Sequence, residues 1–311
     1  MATPTILITG ATGQQGSATI AVLIAAAEAS PAQPKILALT RSIKSPKALR
    51  LTEKYGAAVT LVQGSPNHPE PIFTAHPDIT SVFLVTVPPD EEAQALPLID
   101  AAAARGVRHI VFTSVDRGGD EKSWGYETPV PHFAAKCRIE NHLRDACIRP
   151  KSDGSPITQW TILRPTGFMD NYAPGTSFGK MMWTLLATMP KDRKMQIIST
   201  HDIGLVAAKA LLEGPDATWA GKVVGLAGDE LSFEEAEAVF RKVMGHEPPR
   251  MWNVVGNGIR WMVNEAGTSM SWFENVGFAV DISRARREEP RLADFETWLR
   301  TNFTSNEEGG R

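Results

Sequence analysis

The feature that most constrains this chain is a glycine-rich segment close to its N-terminus. Residues 5–16 read Thr-Ile-Leu-Ile-Thr-Gly-Ala-Thr-Gly-Gln-Gln-Gly, so a short apolar run leads directly into Gly10, Gly13 and Gly16. An alanine-rich stretch, Ser17–Glu28, follows at once and is compatible with a helix. Strand, glycine turn and helix in this order are typical of the phosphate-binding turn of a Rossmann fold. Without Cβ atoms the turn lets a pyrophosphate approach the backbone, and the helix N-terminus offers N–H groups and the positive end of its dipole.

The glycine turn and the end of the next apolar run together predict the cofactor. In the turn we expect contacts to a dinucleotide from Gly10, Thr12, Gly13, Gln14, Gln15 and Gly16. The second run ends in Thr40-Arg41, where an acidic residue would select NAD and a basic one accommodates a 2′-phosphate. Arg41 offers a planar fork to that phosphate, and Lys44 adds a second positive charge. NADP(H) is therefore the predicted cofactor, although an arginine that only lies at the sheet edge would leave the same pattern.

The first half of the chain alternates apolar runs with helix-compatible stretches, which is typical of βαβ units and a parallel sheet. The runs are Thr5–Thr9, Ile36–Thr40, Ala58–Gln63, Val82–Val87, His109–Thr113 and Gln159–Leu163. After Arg164 the alternation stops, and glycine, proline, methionine and tryptophan become frequent. We therefore predict an α/β fold. A doubly wound Rossmann domain would span residues 1–165, and a smaller α/β region, residues 166–311, would close over the cofactor cleft. The boundary is soft, because strands of both parts could join one sheet.

Composition and charge exclude several classes of protein. The 311 residues are 42% hydrophobic and 22% charged with a formal net charge of −3, which is an ordinary globular balance. The mixed charges indicate no direct nucleic-acid or membrane partner.

Cys137 and Cys147 stand ten positions apart in one predicted helix, roughly 15 Å along its axis, so no disulfide is expected. The seven histidines show no metal-ligand spacing, so no metal is expected. The N-terminus lacks signal-peptide features, which favours a cytoplasmic location, or a nuclear one if the protein is regulatory.

In its sequence motifs the chain resembles the NmrA-like family of atypical short-chain dehydrogenases. The resemblance rests on residues 9–16, on Thr40-Arg41, on Val-Phe-Thr-Ser at 111–114, on His-Phe-Ala-Ala-Lys at 132–136 with Glu140 and Leu143, and on Ile-Leu-Arg-Pro-Thr-Gly-Phe-Met-Asp-Asn at 162–171. It implies that the cofactor crosses the carboxyl ends of the strands. The residues that it assigns to the adenosine and pyrophosphate are Thr86, Val87, Pro88 and, less directly, Gly64, since Gln63-Gly64-Ser65 departs from the family's Gly-Asp pair. Those that it assigns to the nicotinamide half are Ser114, Lys136, Pro165, Thr166, Gly167 and Phe168.

The resemblance leaves catalysis open. Related carbonyl reductases use a Tyr and a Lys four residues apart on one helical face, and the lysine lowers the pKa of the tyrosine so that the phenol can give up a proton. Here Lys136 is present, but the partner position holds His132. His132 could itself be the acid, or Lys136 could act alone, as in isoflavone-reductase-like relatives. His132 could equally be a helix-start residue with a backbone hydrogen bond. Tyr126, ten residues before Lys136, could line a substrate site or simply be exposed.

Two functional hypotheses follow. The first is an NADPH-dependent reductase that transfers hydride to a small apolar carbonyl, enone or imine. The alternative is a non-catalytic NADP(H) redox sensor that binds a regulatory protein partner, which would explain the missing tyrosine. The methionine- and aromatic-rich second half could line an apolar pocket or pack as core, and this holds for Met169, Tyr172, Phe178, Met181, Met182 and Trp183. Trp252, Trp261, Trp272 and Phe273 could cover the same cleft or a protein interface.

Overall fold

The computed structural model describes residues 4–28, 33–148, 158–215 and 218–304, and these form two compact units. The first unit takes the described residues within Met1–Val115, Ala135–Arg164 and Ile203–Val224, and the second those within Asp116–Ala134, Pro165–Asp202 and Gly225–Arg311. The chain therefore passes between the units several times, once directly after Arg164. The division into folding domains at residues 165 and 166 stays a prediction.

The elements follow in chain order. The strands are β1 (Thr5–Ile8), β2 (Lys35–Thr40), β3 (Val59–Gln63), β4 (Ser81–Leu84), β5 (His109–Thr113), β6 (Gln159–Pro165), β7 (Gly167–Phe168), β8 (Met195–Ile198), β9 (Lys222–Leu226) and β10 (Asp229–Leu231). The helices are α1 (Gln14–Glu28), α2 (Pro46–Tyr55), α3 (Glu70–Ala75), α4 (Glu91–Ala104), α5 (Asp120–Gly125), α6 (Pro131–Ile148), α7 (Ser177–Leu186), α8 (Thr200–Glu213), α9 (Phe233–Met244), α10 (Asn253–Met262), α11 (Asn264–Asn275), α12 (Ile282–Glu288) and α13 (Phe295–Phe303).

A seven-stranded sheet in the order β3-β2-β1-β4-β5-β6-β9 is the centre of the first unit. Neighbouring strands from β3 to β6 pair in parallel, and Leu7 of β1 lies between Leu37 of β2 and Val82 of β4. Every residue of β1, β4 and β5 is buried, as expected for strands that are covered on both faces. The strand order reverses between β1 and β4, and this reversal is where a Rossmann fold binds its ligand. The predicted α/β Rossmann fold is confirmed.

The second unit contains a three-stranded sheet in the order β10-β8-β7. β8 pairs antiparallel with β10 and parallel with β7. β7 and β10 contain only two and three residues, too few to leave a periodic pattern in the sequence. α9 begins at a capping box: the Ser232 hydroxyl accepts from the Glu235 N–H at 3.2 Å, and the Ser232 N–H donates to the Glu235 carboxylate at 2.8 Å.

Three further features bear on membranes, metals and thiols. In the described part of the chain, no helix has both the length and the apolar character needed to cross a membrane. The same residues contain no cluster of three or more His, Cys, Asp or Glu side chains that could hold a metal ion. Cys137 and Cys147 lie on one helix, α6, as predicted, and both are buried, free cysteines.

Candidate functional site

The glycine turn between β1 and α1 has the geometry that its sequence predicts. Gly10 adopts φ +56°, and a Cβ on it would lie 3.2 Å from the Cβ of Val85. The Gly13 N–H donates to the Gly10 carbonyl at 2.9 Å and closes the turn. A Cβ on Gly16 would lie 2.7 Å from the Gly10 carbonyl carbon and 2.8 Å from Ala11 Cα. Only glycine therefore lets α1 start this close to the end of β1.

The turn presents a surface suited to an anion. Gly13 and Gln14 are exposed, Thr12 and Gln15 are half-buried, and α1 has no acidic residue in its first turn. The positive end of the helix dipole and the N–H groups of the first turn therefore meet no opposing carboxylate from α1 itself. The structure brings the six predicted residues of the turn together, and their contacts to a dinucleotide stay a prediction.

Arg41 and Lys44 lie just beyond the carboxyl end of β2, between that strand and α2. Both side chains are exposed, and neither has an ion-pair or hydrogen-bond partner within the described ranges. Ser45 caps α2, because its hydroxyl accepts from the Ala48 N–H at 3.3 Å. Two unpaired cations at this edge can serve a phosphate group.

Gly64 lies beside the same edge, where its N–H donates to the Thr40 carbonyl at 3.0 Å. A Cβ on Gly64 would lie 2.9 Å from Ile72 and 3.3 Å from Leu39. Close packing therefore accounts for this glycine, and its contact to adenine stays a prediction. The Ser65 hydroxyl is hydrogen-bonded to Asn67 within the same turn.

The segment after β4 is held by a side chain that sequence reasoning missed. Thr86 is buried, whereas Val87 and Pro88 are exposed. The Gln94 side chain of α4 accepts from the Val87 N–H at 3.2 Å and donates to the carbonyls of Val87 and Pro89 at 2.6 and 3.0 Å. This amide fixes the loop that the family pattern assigns to the cofactor. A glutamine on a helix surface carries no signal for such a role in a single sequence.

Lys136 is the centre of a buried polar network in the first unit. Its ammonium donates to Thr86 Oγ1 at 2.8 Å and to the Thr113 carbonyl at 3.0 Å, and it forms an ion pair with Glu91 at 3.4 Å. The Thr86 hydroxyl in turn donates to Glu91 Oε1 at 2.8 Å, and the Thr113 hydroxyl donates to Gln15 Oε1 at 2.6 Å. The network thus joins the ends of β4 and β5 to the glycine turn. Glu91 was missed because it reads as an ordinary acid at a helix start.

Ser114 follows Thr113 at the same edge of the sheet. The residue is 5% exposed, and its N–H donates to the Leu163 carbonyl of β6 at 2.7 Å. Ser114 therefore lies directly after Thr113, whose carbonyl accepts a hydrogen bond from the Lys136 ammonium of α6. A contact from Ser114 to a nicotinamide ribose stays a prediction.

Two other residues of the family pattern are partners of each other. Arg164 at the end of β6 forms two hydrogen bonds with the Glu140 carboxylate of α6, at 3.1 and 2.7 Å. Both side chains are buried, at 0% and 1% exposure. This bidentate pair fixes α6, and with it Lys136, against the sheet.

His132 and Tyr126 belong to the second unit. His132 is half-buried in the first turn of α6, and its ring lies 5.7 Å from that of Phe133. Tyr126 follows α5 and, with Trp261, Met262 and other residues, lines an open cleft of about 760 Å³. The catalytic role of His132 stays a prediction.

Residues 165–168 also lie in the second unit. The Thr166 N–H and hydroxyl both donate to the Leu226 carbonyl, at 3.1 and 3.2 Å. Gly167 and Phe168 form β7, which pairs with Ile197 and Ile198 of β8, and both are half-buried. Pro165 accepts a hydrogen bond from the Asp116 N–H at 3.0 Å. The contact of this segment to a nicotinamide stays a prediction.

The methionines and aromatics of the second half divide between core and surface. Met169, Tyr172 and Trp183 are buried in one hydrophobic cluster, and burial raises the pKa of Tyr172. Met181 and Met182 pack against that cluster, while Phe178 is 52% exposed. Phe133 packs against a second aromatic group, formed by Trp272, Phe273 and Phe278. Trp252 and Trp261 are 81% and 87% exposed on or beside α10.

Known structures share this fold across nearly the whole chain. NADPH-dependent quinone oxidoreductase of Escherichia coli, complexed with NADPH, superposes with a TM-score of 0.71 at 20% identity. The alignment covers 95% of this chain and 99% of the oxidoreductase chain. Triphenylmethane reductase of Citrobacter sp., complexed with NADP(H), gives 0.69 at 20% identity, covering 94% and 98%. NmrA, a negative transcriptional regulator, in complex with NADP, gives 0.70 at 19% identity, covering 99% and 98%.

The sequence comparisons identify the family. The nitrogen metabolite repression protein nmr of Neurospora crassa is 28% identical over 160 residues, which are 50% of this chain and 31% of that relative. This match therefore spans about a third of the relative's length. The model of the NmrA-like family matches residues 2–251, which include the glycine turn, the Lys136 network and the Glu140–Arg164 pair. This chain belongs to the NmrA-like family.

Proposed function

We propose that this protein binds NADP(H) along the carboxyl edge of the seven-stranded sheet and reduces a small apolar carbonyl, enone or imine. The observation that carries the proposal is the fit of the glycine turn. A Cβ on Gly16 would collide with the backbone, and a Cβ on Gly10 would lie too close to Val85. The helix α1 starts at this turn and has no acidic residue in its first turn. A pyrophosphate is the group that this arrangement recognises.

Arg41 and Lys44 supply the selectivity for the phosphorylated cofactor. Both follow the second strand, where the residue type separates NAD from NADP sites. Both side chains are exposed, and neither forms an ion pair or a hydrogen bond with the described residues. A 2′-phosphate would accept charge-assisted hydrogen bonds from the guanidinium, with the ammonium as a second cation.

Lys136 serves the nicotinamide half of the cofactor. Bound NADPH would supply the hydride. Thr86 and Thr113 orient the Lys136 ammonium at the ends of β4 and β5, where it binds ribose hydroxyls and stabilises negative charge on a substrate oxygen. His132, four residues earlier on α6, or a water molecule supplies the proton. Two structural relatives support a reductase, because the names of the quinone oxidoreductase and of the triphenylmethane reductase state such an activity for those proteins.

A redox sensor without turnover is the second candidate. It is favoured by His132, which stands where catalytic relatives carry tyrosine, and by the regulatory names of two relatives, NmrA and the Neurospora repression protein. In this case the cofactor site would report the NADP(H) state to a protein partner, and the exposed Trp252 and Trp261 are candidates for that contact.

Fluorescence titration with NADPH, NADP⁺, NADH and NAD⁺ tests the proposal. We expect both phosphorylated forms to bind more tightly than the unphosphorylated ones. Arg41→Ala should weaken NADPH binding about tenfold or more, as for a lost charge-assisted hydrogen bond, and leave NADH binding unchanged. Arg50→Ala, an exposed arginine on α2, is the matched control and should change neither. Absence of binding by all four dinucleotides would refute the proposal.

Turnover separates the two candidates. NADPH oxidation is followed with quinones, aldehydes, enones and imines as substrates, in wild type, His132→Ala and Lys136→Ala. A reductase requires a rate that falls at least about tenfold in Lys136→Ala, in the range typical of a lost electrostatic or acid–base contribution. Tight binding of one oxidation state, with no turnover on any substrate, would support the sensor.

A further inference from the structure

Glu91 is a buried acid whose position calls for a functional reason. It is 3% exposed at the start of α4, and so is Lys136, its ion-pair partner at 3.4 Å. The Thr86 hydroxyl lies between them, since it accepts from the ammonium and donates to the carboxylate, each at 2.8 Å. A buried ion pair contributes little net stability compared with apolar residues of similar size. In surroundings of low dielectric constant, however, its charges interact strongly with any charged group beside them.

The pair lies at the ends of β4 and β5, close to the glycine turn. Lys136 contacts the ends of β4 and β5 through Thr86 and the Thr113 carbonyl. Thr113 is in turn hydrogen-bonded at 2.6 Å to Gln15, the second residue of the helix that starts at the glycine turn. A dinucleotide with its pyrophosphate on that turn extends its second nucleoside over the ends of β4 and β5.

We infer that Glu91 sets the preference of this site between oxidised and reduced cofactor by neutralising the charge of Lys136. The inference rests on the proposed NADP(H) site. The nicotinamide ring of NADP⁺ carries a positive charge that NADPH lacks. With both partners present the buried pair is neutral, and the site tolerates that charge. Without the carboxylate, the ammonium repels the oxidised ring in surroundings of low dielectric constant, where charges interact strongly.

The experiment is a comparison of dissociation constants for NADP⁺ and NADPH in matched variants. In Glu91→Gln the side chain keeps its size and a hydrogen-bond acceptor for Thr86 and loses its charge. The ratio Kd(NADP⁺)/Kd(NADPH) should rise about tenfold, because an unpaired buried charge interacts strongly with a charged ring in surroundings of low dielectric constant. Glu92→Gln removes the neighbouring charge, which is 37% exposed and paired with Arg138, and should leave the ratio unchanged.

Lys136→Met tests the same electrostatic coupling by removing the other charge of the pair. It can be measured even if Glu91→Gln does not fold. It leaves the carboxylate without its ammonium, so the ratio should fall. In the double variant Glu91→Gln, Lys136→Met the ratio should return to within about threefold of wild type, because both charges are gone. The ratio cancels any loss of affinity that is common to both cofactor forms.

The outcomes separate this inference from the proposed function. If wild type binds both forms and Glu91→Gln shifts both dissociation constants by one factor, Glu91 is structural only and the inference is overturned. A fall of the ratio in Glu91→Gln, or a rise in Lys136→Met, would overturn it as well. If wild type binds neither form, the proposed function itself fails and the inference falls with it.

Discussion

Removal of one partner from the buried pair of Glu140 and Arg164 should be among the most destabilising single changes in the first unit, because it leaves the other charge buried without its counter-ion. We consider Arg164→Met, which keeps an unbranched apolar side chain of similar length and removes the guanidinium. The change deletes two hydrogen bonds, of 3.1 and 2.7 Å, to a carboxylate that is 1% exposed. Water cannot replace the guanidinium at such a site, so the buried carboxylate loses its counter-ion.

Removal of one partner from a buried ion pair costs about 3–5 kcal/mol. We therefore expect Arg164→Met to lower the free energy of unfolding by this amount, measured by urea unfolding with circular dichroism and tryptophan fluorescence. In Glu140→Leu, Arg164→Met both charges are absent, and the loss should fall short of the sum of the two single variants by about 2 kcal/mol or more.

Arg138 and Glu92 provide a matched control. They form an arginine–glutamate pair with a closest distance of 2.7 Å, but the side chains are 42% and 37% exposed. Arg138→Met should therefore cost less than about 1 kcal/mol. The reasoning from burial is refuted if Arg164→Met costs no more than Arg138→Met, or if the two buried substitutions are additive.

Three further predictions follow from other parts of the structure. Gly16→Ala should weaken NADPH binding more than about tenfold in a fluorescence titration, because the added Cβ would lie 2.7 Å from a backbone atom. Gly125→Ala is the control, since no atom lies within 4 Å of its Cβ position, and it should leave the affinity unchanged; equal affinities of the two variants would contradict the glycine-turn argument. On α10, Gly258→Ala should raise the free energy of unfolding by about 0.5–1 kcal/mol, since no atom lies within 4 Å of its Cβ position. Gly256→Ala should lower that energy by about 1–3 kcal/mol, because its Cβ would lie 2.7 Å from Thr188; the same sign for both variants would be inconsistent with this packing. The hydrogen bond from Lys194 and the backbone N–H of Ser232 lower the pKa of Glu235. The stability that this carboxylate contributes is therefore present above its ordinary pKa and lost as the pH falls through the lowered value. The difference in Tm between wild type and Glu235→Gln should be complete above the ordinary pKa of a glutamate and should vanish as the pH falls below the lowered pKa, and a constant difference would argue against the capping role.

Much of the first unit could be predicted from the sequence because its signals are local. The parallel strands appear as continuous apolar runs, since both faces of the sheet are covered. The glycine turn depends on residues within seven positions of one another, and its strand and helix flank it directly.

The second unit was predicted less completely for a physical reason. Its strands β7, β8 and β10 contain two, four and three residues, so their pairing depends on distant partners rather than on a pattern along the chain. The sequence also did not determine which of its methionines and tryptophans are buried, because both residue types occur in cores and on surfaces. The structure buries Trp183 and exposes Trp261, a distinction that composition alone does not make.

The sequence by itself determined the Rossmann turn, the parallel sheet and Lys136 as a residue of interest, because each depends on short-range patterns or on a family motif. The tertiary structure alone decided what Lys136 touches. Its partners Thr86 and Glu91 lie 50 and 45 positions away in the chain, and Arg164 is 24 positions from Glu140. A single sequence does not pair charges over such separations. Folding does, because a buried ammonium or carboxylate is stable only beside a group that satisfies it.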